Sequence, residues 1–125
     1  MALRCFIVDD SPRFLSAARS LLERDGFTVV GVASTADEAV RGVDQERPEV
    51  VLVDVELGRD SGFDLVRRIA RETDLDPGRV ILISTYAEDD LRDLVADAPV
   101  AAFLSKSRLS GPAIRDILED GARRP

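Results

Sequence analysis

Three aspartates, a serine-threonine pair and a lysine stand where short apolar runs end. Asp9 and Asp10 follow Leu3–Val8, and Asp54 follows Val50–Val53. Ser84 and Thr85 follow Val80–Ile83, and Lys106 lies just past Val100–Leu104. Three carboxylates held together repel one another, and at least one binds a proton unless a cation offsets the charge. Mg²⁺ suits that role, because it prefers oxygen ligands and uses one or two carboxylates together with a phosphate oxygen. In such a setting Asp54 is a nucleophile able to accept a phosphoryl group as an acyl phosphate. The transfer needs mainly positioning and charge neutralisation. The metal carries part of that charge, and a lysine ammonium and a hydroxyl can hold the remaining oxygens.

Taken singly, each residue has an ordinary use. An Asp after a strand caps the next helix, Ser and Thr suit turns, and a lysine is usually a solvated charge. Taken together, each ordinary use would have to imitate a different part of one site. The lysine adds weight. The chain contains sixteen arginines and one lysine, and that lysine falls at the proposed site. Ammonium is a compact point charge, whereas guanidinium is a broad planar fork.

These residues converge only if the elements between them fold correctly. Leu3–Val8, Phe27–Ala33, Val50–Val53, Val80–Ile83 and Val100–Leu104 read as buried strands. Helical spacing separates them. Phe14, Leu15, Ala18, Leu21 and Leu22 mark a helix opened by Asp10 or Ser11 with Pro12 in its first turn and stopped at Gly26. Thr35-Ala36-Asp37-Glu38 has capping-box form and opens a second helix, with Ala39, Val40 and Val43 inward. Phe63, Val66, Ile69 and Ala70 mark a third. Leu91, Leu94 and Val95 mark a fourth, behind the acidic start Glu88-Asp89-Asp90, and Ile114, Ile117 and Leu118 mark a fifth. The stretch Glu56–Gly62 reads as a loop, Asp76-Pro77-Gly78 as a turn, and Gly121 as the last stop. Alternating strands and helices predict an α/β fold: one doubly wound five-stranded parallel sheet with helices on both faces. Its strand ends share one edge, where ligands bind. The expected domain spans residues 1–121, with a tail at 122–125 and no effector domain after Gly121.

Composition excludes several functions. The net charge of −7, from 17 basic and 24 acidic residues, argues against direct nucleic-acid binding. The chain has no histidine, which removes His-based nucleophile systems and His-based zinc sites. It also means that a phosphoryl group must arrive from another molecule. No apolar run is long enough to span a bilayer, and the start has no signal-peptide pattern. One cysteine, Cys5, lies in an apolar run and reads as core packing, so a cytoplasmic location is expected.

Ile7-Val8-Asp9-Asp10-Ser11, Val51-Leu52-Val53-Asp54, Asp60-Ser61-Gly62, Ile83-Ser84 and Phe103-Leu104-Ser105-Lys106 occur in that order over essentially the whole chain. Together they resemble the receiver domains of two-component response regulators. The resemblance implies a flavodoxin-like (βα)5 fold with strand order 2-1-3-4-5. It implies that Asp54 is the phosphorylation site, and that Asp9, Asp10 and Asp54 hold Mg²⁺, with Asp10 the more direct ligand of the acidic pair. Glu56 would lend its backbone carbonyl to the metal. Ser84 would offer its hydroxyl to the phosphoryl group, and Lys106 would pair with it. Ser84 and Phe103 would be the switch residues, Phe103 turning inward on activation. Two departures bear on loop geometry. Leu57-Gly58 stands where many members have Met-Pro, and Ser107 stands where many have a proline after the lysine.

The expected function is that of a phospho-accepting receiver in a phosphorelay. A sensor histidine kinase donates to Asp54, and the altered surface acts on a downstream protein or effector domain. The chain would catalyse only its own phosphorylation and dephosphorylation. A metal-dependent phosphatase with an Asp nucleophile is the competing class, but such enzymes place two acids two residues apart after the first strand, and here Asp9 and Asp10 are adjacent. The receiver half of a longer DNA-binding regulator is the alternative output. A homodimer through the face of the fourth helix, fifth strand and fifth helix is a further expectation from the resemblance. Glu56 and Tyr86, placed two residues past Asp54 and Ser84, would set the lifetime of the phosphorylated state.

Overall fold

In a computed structural model that describes residues 2–86 and 88–123, five strands lie side by side in one sheet. They are β1 (Leu3–Val8), β2 (Phe27–Ala33), β3 (Val50–Asp54), β4 (Val80–Ser84) and β5 (Ala102–Ser105). The sheet is parallel throughout, in the order β2-β1-β3-β4-β5. This is the flavodoxin-like order expected from the sequence. Every residue of β3 and β4 is buried, as central parallel strands require. The edge strand β2 is only partly buried, and its register against β1 shifts between Cys5 and Phe6.

Five helices cover the sheet: α1 (Pro12–Arg24), α2 (Ala36–Glu46), α3 (Gly62–Glu72), α4 (Glu88–Ala96) and α5 (Gly111–Arg123). Side chains alternate between the two faces. Phe6, Val8, Val51, Val53 and Leu82 pack with Ala39 and Val43 of α2, Val66 and Ile69 of α3, and Leu91 and Val95 of α4. Cys5, Ile7, Leu52, Ile81 and Ile83 pack with Ala18 and Leu22 of α1 and Ile114 of α5. Burying each such large apolar side chain contributes about 2 kcal/mol. Burial pushes the Cys5 thiol up to about 12, so it stays protonated and acts as a small apolar group.

Local chemistry sets the helix starts. Ser11 caps α1, its hydroxyl accepting from the Phe14 N–H at 3.2 Å, and Pro12 follows inside the first turn. Thr35 caps α2 by accepting from the Glu38 N–H at 3.3 Å. The reciprocal bond of the capping box is displaced by one residue, because Glu38 accepts from the Ser34 N–H at 3.4 Å. Ser61 caps α3, and Ser110 accepts from the Ala113 N–H to open α5.

Three boundaries differ from the sequence reading. The loop after Asp54 contains a short antiparallel ladder pairing Glu56 with Ser61 and Leu57 with Asp60. Gly58, at φ 62°, makes that tight reversal possible. The fifth strand begins at Ala102 instead of Val100, although the Ala101 N–H still bonds the Val80 carbonyl at 2.8 Å. The last helix continues through Gly121 to Arg123, since a glycine near a helix end costs only about 1 kcal/mol. Of the expected tail, residues 124–125 lie outside the described residues. None of the described helices is long and apolar enough to cross a membrane.

Candidate functional site

The register of the parallel sheet carries the candidate acids, Ser84 and Lys106 to one edge. Val8 pairs with Val53 across β1 and β3, Asp54 with Ile83 across β3 and β4, and Ser84 with Ser105 across β4 and β5. Asp9 and Asp10 leave β1, Asp54 ends β3, Ser84 ends β4, and Lys106 follows β5. Asp10, Asp54, Glu56, Ser84, Thr85 and Lys106 line one open crevice. A separate dent beside Val43, Arg47, Pro48 and Leu75 contains none of them.

Three carboxylates dominate the crevice. Oxygens of Asp9, Asp10 and Asp54 lie within 4.8 Å of one another. Asp9 is fully buried and Asp54 nearly so, while Asp10 is exposed. One oxygen of Asp9 accepts from the Ser11 N–H at 2.8 Å. Its other oxygen is buried and accepts no hydrogen bond from the described residues, although Lys106 Nζ approaches it at 2.6 Å as an ion pair. The contact supplies charge without the angular geometry of a hydrogen bond. Burial and the nearby Asp9 charge push the Asp54 carboxyl up to about 6, against the Glu56 N–H and Lys106, which favour the ionised form. An all-oxygen, over-charged cluster with a buried and under-coordinated oxygen fits a hard divalent cation such as Mg²⁺.

Lys106 is anchored on three sides. Its ammonium meets Asp9 at 2.6 Å and Asp54 at 3.4 Å, and it lies 4.2 Å from the centre of the Phe14 ring. The sequence reading gave Phe14 only a core-facing place on α1. Helical spacing could not reveal that its ring also supports a cation from a distant strand.

The hydroxyl side of the crevice is equally defined. Ser84 is buried, and its Oγ accepts from the Tyr86 N–H at 3.0 Å. The Ser84 hydroxyl proton therefore remains available to an incoming oxygen. The Glu56 carboxylate near the Tyr86 hydroxyl raises the Tyr86 pKa above its ordinary value. Glu56 lines the crevice, and the exposed Tyr86 follows Thr85 of its lining. Phe103 is buried in the sheet face that packs on α2, α3 and α4. Ser107, in the usual proline position, shares a hydrogen bond with Ser105 at 2.9 Å, and no described peptide bond is cis.

Comparison with known proteins gives a consistent result. Residues 5–118 match the family model described as the response regulator receiver domain. A protein-glutamate methylesterase/protein-glutamine glutaminase of Alkalilimnicola ehrlichii is 33% identical over 85% of this chain and 27% of its own length. The transcriptional regulatory protein PdtaR of Mycobacterium tuberculosis is 27% identical over 82% of this chain and 49% of its own length. The chain therefore spans at most about half of these relatives. A receiver domain protein, described as CheY-like, from Methanospirillum hungatei superposes with a TM-score of 0.80 over 98% of both chains at 24% identity. A LuxR-family response regulator from Aurantimonas gives 0.81 over 99% of this chain and 88% of its own, also at 24% identity.

Proposed function

The chain belongs to the response regulator receiver domain family, and from that premise we propose that it accepts a phosphoryl group on Asp54 from the phosphohistidine of a sensor kinase. The observation that carries this reading is the juxtaposition of Asp9, Asp10 and Asp54 within 4.8 Å with a single ammonium wedged between two of them. Asp9, Asp10, Asp54 and the backbone carbonyl of Glu56 would hold Mg²⁺. When bound, that ion supplies charge neutralisation for the phosphoryl oxygens.

The chain's own residues do the rest. A carboxylate oxygen of Asp54 attacks phosphorus, the bond from phosphorus to the donor imidazole nitrogen breaks, and its electron pair leaves on that nitrogen. Lys106 lies within a short side-chain movement of Asp54 and pairs with a phosphoryl oxygen. Ser84 donates its hydroxyl to another oxygen. Ser84 and Phe103 report the change to the surface, and a downstream protein or effector domain reads it, with a dimer through the α4-β5-α5 face as one form of output. The chain acts in the cytoplasm, does not itself bind nucleic acid, and catalyses no reaction beyond its own phosphorylation and dephosphorylation.

Incubation with Mg²⁺ and a small phosphodonor, followed by intact-mass measurement, tests the reading. A single phosphoryl adduct is expected with Mg²⁺ and none in EDTA. Mg²⁺ at one hundred times its dissociation constant should also stabilise the fold by about 2.7 kcal/mol. A wild-type protein that forms no adduct with Mg²⁺ present overturns the proposal.

The contact between Glu56 and Tyr86 supports a second element of the reading, that this pair limits the access of water to the acyl phosphate. Loss of one polar contact beside the acyl phosphate changes a rate by about fivefold. Glu56→Ala and Tyr86→Ala should each shorten the phosphorylated lifetime by that factor, followed as loss of adduct with time. Unchanged lifetimes in both variants would remove the pair from the mechanism.

A further inference from the structure

We infer that Asp60 is a positioning residue that tethers the metal-side loop to the N-terminus of α2. The inference rests on the reading that Glu56 lends its backbone carbonyl to Mg²⁺. That carbonyl belongs to a short loop with no proline to stiffen it, and Gly58 at its tip adopts the left-handed conformation. Something else must hold the loop in shape.

Two anchors do so. Leu57 is buried in the core that packs on α2 and α3. Asp60, its partner across the ladder, accepts the Ala36 N–H at 2.9 Å. Ala36 is the first residue of α2, and its N–H is one of the donors that a helix leaves without an internal partner. Thr35 satisfies the Glu38 N–H, so the two caps divide the first turn between them. The bond joins residues 24 apart in sequence and closes the loop against the fold.

The tether has an electrostatic consequence as well. Asp60 lines the same crevice as Asp10, Asp54 and Glu56. With its charge directed at a helix N-terminus, it adds less repulsion to the metal cluster. Partners of ligand groups typically alter metal affinity by about tenfold to a hundredfold. Asp60 therefore orders the ladder that carries Glu56, and through it the affinity for Mg²⁺.

Asp60→Ala and Asp60→Asn separate this role from simple charge. Both remove the same charge, and only alanine removes the acceptor. Calorimetric titration of the full chain with Mg²⁺ should show Asp60→Ala binding about tenfold more weakly than Asp60→Asn, with Asp60→Asn close to wild type. Ala36→Pro removes the donor from the other side. Proline is tolerated at a first helical position, and Thr35 already has the extended backbone that a following proline requires. Ala36→Pro should reproduce the loss, and the double variant with Asp60→Ala should add nothing. Melting in EDTA reports folding of each variant separately. Equal Mg²⁺ affinity for Asp60→Ala and Asp60→Asn overturns the tether while leaving the proposed function standing. A wild type that binds no Mg²⁺ overturns both.

Discussion

Asp54→Asn abolishes the phosphoryl adduct and, in EDTA near neutral pH, yields a protein more stable than the wild type. The first effect follows from chemistry, because an amide cannot form the acyl phosphate. The second follows from electrostatics. The Asp54 carboxyl is raised from its ordinary 3.8 to about 6 by burial and by Asp9. The folded chain therefore binds this proton more tightly than the unfolded chain does. Stability from this group is fully present below about pH 4 and is lost as pH rises through about 6. Asparagine does not ionise and escapes that loss. Taken at face value the displacement is worth about 3 kcal/mol. Solvent in the open crevice reduces the expected gain to about 1–2 kcal/mol. Urea denaturation of both proteins in EDTA, at about pH 5 and about pH 7.5, checks the sign. The difference should be larger at the higher pH. Added Mg²⁺ should favour the wild type, since the variant lacks one of the three carboxylates. A wild type more stable than Asp54→Asn in EDTA at the higher pH would show that Lys106 outweighs the repulsion.

Gly62→Ala destabilises the fold by about 3 kcal/mol and disturbs the phospho-accepting aspartate together with it. Gly62 begins α3, and its N–H bonds the Val55 carbonyl at 2.8 Å. A Cβ at this position would collide with the Asp54 carbonyl oxygen and come within 2.8 Å of the Val55 Cα. Both obstacles are backbone, so neither can swing aside as a side chain would. Overpacking of this kind costs about 1–3 kcal/mol, and a rigid neighbour places the cost at the upper end. Because the displaced atoms are the end of β3, the Asp54 carboxylate moves with them. A small misplacement at a reacting group lowers the rate by about a hundredfold. Gly58→Ala is the contrast: its Cβ would find Asp10 Oδ2 only at 3.5 Å, and its cost is the left-handed backbone alone, about 1 kcal/mol. Urea denaturation with an unchanged slope, paired with adduct formation over time, measures both effects. A Gly62→Ala protein within about 0.5 kcal/mol of wild type would contradict this account.

Much of the fold was legible because the signals are local. Continuous apolar runs identify buried parallel strands, and helical spacing identifies what lies between them. Asp9, Asp10, Asp54, Ser84 and Lys106 could be grouped because parallel strands point their ends the same way. Element limits were less legible. Gly121 looked like a stop because glycine commonly ends helices, yet α5 continues to Arg123. Val100 looked like strand because it is apolar and β-branched, yet the ladder begins at Ala102. In both places residue type sets a preference, and the backbone hydrogen bonds that form decide the limit.

By itself the sequence determined which chemistry the protein can host: three acids, a hydroxyl and one lysine at strand ends, with no histidine to carry a phosphoryl group. Only the tertiary structure decided how those groups are shared. It set Lys106 nearer to Asp9 than to Asp54, laid its ammonium against Phe14, brought the Tyr86 hydroxyl near Glu56, and tied Asp60 to α2. The reason is physical. Residue type and spacing follow the chain and survive in one dimension. Which side chain reaches which partner depends on strand register and helix placement, to within an ångström, and these are properties of the packed molecule.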